Sequence, residues 1–140
     1  MRLGVRTRLR QTSDVVQITL YLRFRDALDR AAAKAFTAEI MSVGPGCRVR
    51  HPYYLRNPQR IHIGRGFSSQ PGLRIEAWDT YGDQNYDPQV IIGDNVIMNY
   101  DVHIGAISTL SIGDNVLVGS HVLITDHSHG HLTADEAGMP

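Results

Sequence analysis

From Val49 onward, apolar residues recur at every sixth position: Val49, Leu55, Ile61, Phe67 and Leu73. A second apolar series follows two residues later, at Ile63 and Ile75. The register breaks over the polar stretch 79–88 and resumes at Ile92, Met98 and Ile104. It slips by two between Ala106 and Ser111, then resumes at Ile112, Val118 and Ile124. A six-residue period fits neither a 3.6-residue helix nor a simple alternating hairpin strand. It fits a three-sided coil with one short strand per side, about 18 residues per turn, which is the sequence sign of a parallel β-helix. The expected inner residues are Val49, Leu55, Ile61, Phe67, Leu73, Val96, Val102, Val116 and Val122. The phrase Ile-Gly-Asp-Asn-Val occurs at 92–96 and again at 112–116, and Ile63–Phe67 is a looser copy. Its Gly and Asn suit corners where φ is positive, so Asp94, Asn95, Asp114 and Asn115 read as turn residues rather than acid–base pairs.

The chain changes character near Gly44. Between Phe24 and Met41, Leu28, Ala31, Ala32, Ala35 and Phe36 repeat at three and four residues, which predicts an amphipathic helix. Gly44-Pro45-Gly46 is a strong stop. The stretch 15–24 reads either as a strand or as the first turns of a longer helix. The expected division is a helical segment over 1–43 and a β-helix over 44–140, mainly β in class.

Composition narrows the function classes. The 140 residues carry 14 basic and 14 acidic side chains, so no global charge marks a nucleic-acid binder. Cys47 is alone, which rules out an intrachain disulfide and agrees with a reducing, cytoplasmic setting. The longest apolar-leaning run, Val15 to Leu22, is too short to span a bilayer and is broken by Gln17 and Thr19. No integral membrane segment is expected.

The chemistry concentrates after the last regular hexad, in Asp126-His127-Ser128-His129-Gly130-His131. A histidine can accept a proton near neutral pH. The alternation His127, His129, His131 also resembles a metal-binding tract, and three histidines can hold Zn²⁺. His103 is a further candidate. Asp126 is adjacent to His127, but consecutive strand residues point to opposite faces, so adjacency alone does not make it the histidine's partner.

The hexads together with Asp114 to Gly130 (Asp-Asn-Val-Leu-Val-Gly-Ser-His-Val-Leu-Ile-Thr-Asp-His-Ser-His-Gly) resemble the hexapeptide-repeat O-acetyltransferases. The closest branch is the one of O-antigen, capsule and colanic acid biosynthesis. The resemblance covers roughly 44–140. It implies a left-handed parallel β-helix, acetyl-CoA as acyl donor, a sugar or glycan-precursor hydroxyl as acceptor, no metal, and a homotrimer. It also implies His127 as general base and Asn99 as an acceptor contact. The acidic acceptor residue of the galactoside enzymes falls on Ile107 here, a departure that bears on which sugar is used. Family members continue for several coils past the histidine loop, and those coils hold most of the pantetheine groove. The chain is therefore expected to be incomplete at its C-terminus, with its cofactor-binding residues beyond residue 140. Two other readings stay open: a metal-dependent hydratase on the same fold, like the γ-class carbonic anhydrases, and a non-catalytic module that binds sugar or oligomerises.

Overall fold

The structure is a computed structural model that describes residues 3–128, with side chains from residue 14 onward. A single helix, α1 (Leu3–Glu39), takes up the first quarter of the chain. The ambiguous stretch 15–24 is thus the beginning of a longer helix. Ala32, Phe36 and Ile40 are spaced by four and form its buried stripe. Phe36 is fully buried, edge-on to Tyr53 at 5.1 Å and parallel to Phe67 at 6.1 Å between ring centroids. Burying such a ring is worth roughly 1.5–3 kcal/mol, and here it closes the open end of the β core. The preceding turns of α1 leave Val15, Val16, Ile18, Leu20 and Phe24 exposed. Among the described residues, no helix is long and apolar enough to cross a membrane.

After α1 the backbone stops bonding to itself and pairs with the coil below. Met41 N–H donates to Pro58 O and Gly44 N–H to Ile63 O. The first coil is β1 (Ser42–Val43), β2 (Arg48–Val49) and β3 (Tyr53–Arg56). Its first strand begins at Ser42, two residues before Gly44. The second coil is β4 (Ile61–Ile63), β5 (Ser68–Ser69) and β6 (Leu73–Ala77). A small antiparallel hairpin, β7 (Thr80–Tyr81) and β8 (Gln84–Asn85), then leaves the coil at the polar stretch that interrupted the hydrophobic period. The third coil is β9 (Gln89–Ile92), β10 (Ile97–Met98) and β11 (His103–Ala106); the fourth is β12 (Thr109–Ile112), β13 (Leu117–Val118) and β14 (Leu123–Thr125). Equivalent strands stack in three parallel four-stranded sheets, giving a left-handed parallel β-helix. The third sheet, β3-β6-β11-β14, carries the site described below.

The coil is longer than the hexad count implied. Paired residues such as Arg48↔Ser68, Tyr53↔Leu73 and His103↔Leu123 lie 20 apart, not about 18. The two additional residues sit at the corner leading from the third sheet back to the first. At Asn57–Arg60 that corner is a left-handed Asn57 (φ 51°) followed by a 3-10 turn over Pro58–Arg60. At Ile107–Ser108 it is the two-residue slip seen in the sequence. Between the second and third coils the offset grows to 29 (Arg74↔His103), because the hairpin excursion is inserted there.

Ile61, Phe67, Leu73, Ile75, Val96, Met98, Val102 and Ile104 are fully or almost fully buried. Three expected inner residues, Leu55, Val116 and Val122, are only partly buried and pack against the core. They belong to the first and fourth coils, and each of those coils has a neighbouring β coil on one side only among the described residues. The repeated Asp-Asn corners do structural work. Asn95 and Asn115 have φ of 55° and 58°. Asp94 accepts Arg65 N–H and Asp114 accepts Asp94 N–H, while Asn95 Nδ2 donates to Asn115 Oδ1. One coil's corner Asp thus satisfies the preceding coil's backbone, as turn chemistry requires.

Candidate active site

Side chains alternate in and out along each strand, so the outward residues of the third sheet form straight rows across the coils. The pairing register aligns Arg74, His103 and Leu123 in one row and Glu76, Gly105 and Thr125 in the next. One more step along the chain, beyond the paired strands, come Trp78, Ile107 and His127. Trp78 N–H donates to Ala106 O, which carries the same register past β6. All of these residues line one cavity of about 440 Å³, closed on one side by Tyr81 of the hairpin. That volume lies in the range of small-molecule sites, about 300–1,000 Å³. A second cavity, of about 550 Å³, lies between α1 and the second sheet and contains none of these groups.

His127 is placed by its corner. Asp126 turns back toward the third coil, where Oδ1 accepts Ile107 N–H and Oδ2 accepts Ser108 N–H, both at 2.9 Å, and the Ser108 hydroxyl at 2.8 Å. The same carboxylate lies 3.1 Å from His127 Nδ1, and Thr125 Oγ1 lies 2.9 Å from that nitrogen. Burial alone would raise the Asp126 pKa. The hydrogen bonds from Ile107, Ser108 and His127 outweigh it and lower the pKa to about 2. An ionised carboxylate is acceptor-only, so Nδ1 carries the proton and the neutral ring has its lone pair on Nε2. Sequence adjacency understated Asp126: the corner bends its carboxylate onto the ring that a straight strand would have turned away.

Asp126→Ala should therefore loosen the corner as well as the histidine. Leaving two backbone N–H groups without an acceptor costs about 1–3 kcal/mol each when they are poorly solvated, so the melting temperature should drop by several degrees. The wild-type contribution of Asp126 is complete above its ordinary pKa and is lost as pH falls from about 4 toward 2. A melting-temperature difference between wild type and variant that stays constant down to pH 2 would contradict this assignment.

Gly105 is what makes room beside the histidine. A Cβ there would lie 3.3 Å from His127 Cε1 and 3.9 Å from His103 Nε2, so both imidazoles border the space above this glycine. His103 Nε2 is 2.7 Å from Glu76 Oε2. Arg74 grips the same carboxylate through Nε and Nη2 at 2.6 and 2.9 Å. Glu76 is only 2% exposed. Its burial pushes the pKa up, but the hydrogen bonds and charges of Arg74 and His103 prevail and hold it below the ordinary carboxylate value. The Arg56 guanidinium lies 3.7 Å over the Trp78 ring.

The cavity thus holds His127 and also His103, but not Asn99. Asn99 lies just after β10, at the corner between the second and third sheets, with its N–H bonded to Val118 O. His121 is a corner residue with φ 58°, 3.7 Å from Asp101. His129 and His131, and with them the metal reading of the histidine tract, lie outside the described residues. Glu76, Arg74, Gly105 and Trp78 were not singled out by sequence. The available signal was their outward position in the third strand of a coil, which becomes visible only with the correct coil length.

The chain is 40% identical over 85 residues to a protein of Escherichia coli (strain K12) provisionally named lipopolysaccharide biosynthesis O-acetyl transferase, WbbJ. The match covers 60% of this chain and 40% of that protein, so the chain spans well under half the length of the relative it matches. No family model matches the chain, and no solved structure matches it. The similarity supports the resemblance to the O-antigen branch of the hexapeptide-repeat acetyltransferases.

Proposed function

We propose that this chain carries the acceptor side of an O-acetyltransferase that moves an acetyl group from acetyl-CoA to a sugar hydroxyl in cell-surface polysaccharide biosynthesis. The observation that carries the reading is His127: an imidazole at the edge of a small-molecule cavity, with Nδ1 committed to an ionised carboxylate. In the reaction, His127 Nε2 takes the proton of the acceptor hydroxyl as its oxygen attacks the thioester carbonyl carbon. The C–S bond then breaks, and the CoA thiolate leaves and takes the proton from the imidazolium. The products are the O-acetyl sugar and free CoA, and the histidine returns to its starting form. Asp126 keeps the attacking tautomer and stabilises the imidazolium that forms.

The complete protein acts in this proposal as a cytoplasmic homotrimer. Asn99 lies on a different corner of the triangular coil from His127, so its acceptor contact would be made across a subunit boundary. Asn99→Ala should raise the acceptor KM about 5- to 150-fold, the equivalent of losing a polar contact of about 1–3 kcal/mol. Acetyl-CoA KM should stay within about twofold. Steady-state kinetics varying each substrate in turn checks this, and an unchanged acceptor KM removes Asn99 from the site. The reaction itself is tested on the complete protein by following CoA thiol release from acetyl-CoA in the presence of a panel of sugars. Sugar-dependent release supports the proposal. Absence of release, together with stoichiometric zinc in the purified protein, would favour a hydratase instead.

A further inference from the structure

Resting on the acetyltransferase reading, the arrangement of the cavity goes further than the base, because it has two chemically different ends. One end is aromatic: Trp78, held by the Arg56 guanidinium packed on its ring, and Tyr81 from the hairpin. The other end is a fixed polar cluster in which buried Glu76 is gripped by Arg74 and His103. A pyranose ring has the complementary shape: an apolar C–H face that stacks on aromatic side chains and a rim of hydroxyls that need directed partners. The polar partner is also set in type. Glu76 is ionised and accepts His103 Nε2–H, which leaves Nδ1 of that ring to bond a ligand hydroxyl. We propose that Trp78, Tyr81 and His103 form the subsite for an uncharged pyranose acceptor. The sugar face stacks on the two aromatic side chains, one hydroxyl bonds to His103, and a neighbouring hydroxyl enters the space above Gly105 toward His127.

Glu76 and Arg74 act through His103 and are positioning residues. The hairpin excursion after β6 supplies Tyr81, so its insertion between the second and third coils contributes directly to acceptor choice. The competing occupant of the same cavity is the pantetheine arm of the donor, which also carries hydrogen-bonding amides.

Trp78 is the single tryptophan of the chain, so intrinsic tryptophan fluorescence reports on this cavity. The experiment titrates the purified protein separately with methyl β-glucopyranoside, methyl β-galactopyranoside, methyl α-rhamnopyranoside and CoA. At least one glycoside should give a saturable change, with at least tenfold weaker binding in Tyr81→Ala and His103→Ala and partial recovery in His103→Gln. Far-ultraviolet circular dichroism should match wild type, since both side chains lie on the outer surface of the coil. Saturation by CoA with no response to any glycoside overturns the proposal in favour of the donor arm. A flat response to every glycoside overturns it, as does a glycoside response that neither variant weakens. Binding requires no catalysis, so the two readings fail separately. Glycoside binding without acetyl transfer would remove the reaction and keep the subsite. Acetyl transfer with an unchanged acceptor KM in Tyr81→Ala would do the reverse.

Discussion

In the complete enzyme, replacing His127 by alanine is expected to lower acetyl transfer by roughly 10²–10⁴-fold, the range for removal of a general base. The loss should fall on kcat, with the acetyl-CoA KM changed by less than about threefold, because the imidazole's principal task is to take a proton in the transition state. The geometry makes a sharper comparison possible. Asp126 lies beside Nδ1 and is ionised down to about pH 2, so it orients the ring at any pH at which the protein would be assayed. Asp126→Asn should therefore reduce kcat as well, but less than His127→Ala, since the base remains and only its tautomer is released. His103→Ala should act mainly on the acceptor KM. Measurement of kcat and KM for the three variants separates the roles. Wild-type turnover in His127→Ala would remove the general-base assignment, and the histidine tract would then have to be tested for bound metal.

Val102→Asp is expected to abolish the folded state. Val102 is completely buried in the third coil, with a stacked coil on each side. A carboxylate there has neither water nor a partner, and an uncompensated buried charge costs several kcal/mol. A domain of this size has only about 5–15 kcal/mol of total stability, so the variant should lose its β-sheet circular dichroism at 25 °C. The matched control is Leu117→Asp. Leu117 is two-thirds exposed on β13 and faces outward, so its replacement should move the melting temperature little. If Val102→Asp melts cooperatively near the wild-type temperature, the inward register of the third coil is wrong.

The β-helix was legible because its core repeats. A residue that must point inward recurs six positions on within a coil, as from Val49 to Leu55 and from Ile61 through Phe67 to Leu73. Across the corner at 57–60 the run passes from one inward position to the other, because Leu55 pairs with Ile75 and not with Leu73. The corners were legible for a similar reason: Asn95 and Asn115 occupy equivalent left-handed positions, and Asn tolerates such φ values better than most residues. The helical reading around Phe36 also stands, but of its five expected apolar positions only Ala32 and Phe36 are buried. Leu28, Ala31 and Ala35 are exposed, and Ile40 completes the stripe that seats on the first coil. The chemistry around His127 was partly legible, as an interruption of the repeat by residue types the core does not need.

Other features depended on lengths that periodicity does not report. Two additional residues per coil sit at one corner, where the side chains are not constrained by the core, so a hexad count passes over them. The hairpin excursion changes the pairing offset from 20 to 29 residues, and that offset places His103 beside Arg74 and Gly105 beside Glu76. Outward residues carry no periodic signature, because solvent imposes no common requirement on them. Their meeting is decided by strand register. Hydrophobic period alone therefore carried the three-sided coil, most of its inner face and the histidine at its edge. The tertiary structure alone decided which outward side chains share a cavity with that histidine, because parallel pairing between coils joins residues 20 and 29 positions apart that no local pattern connects.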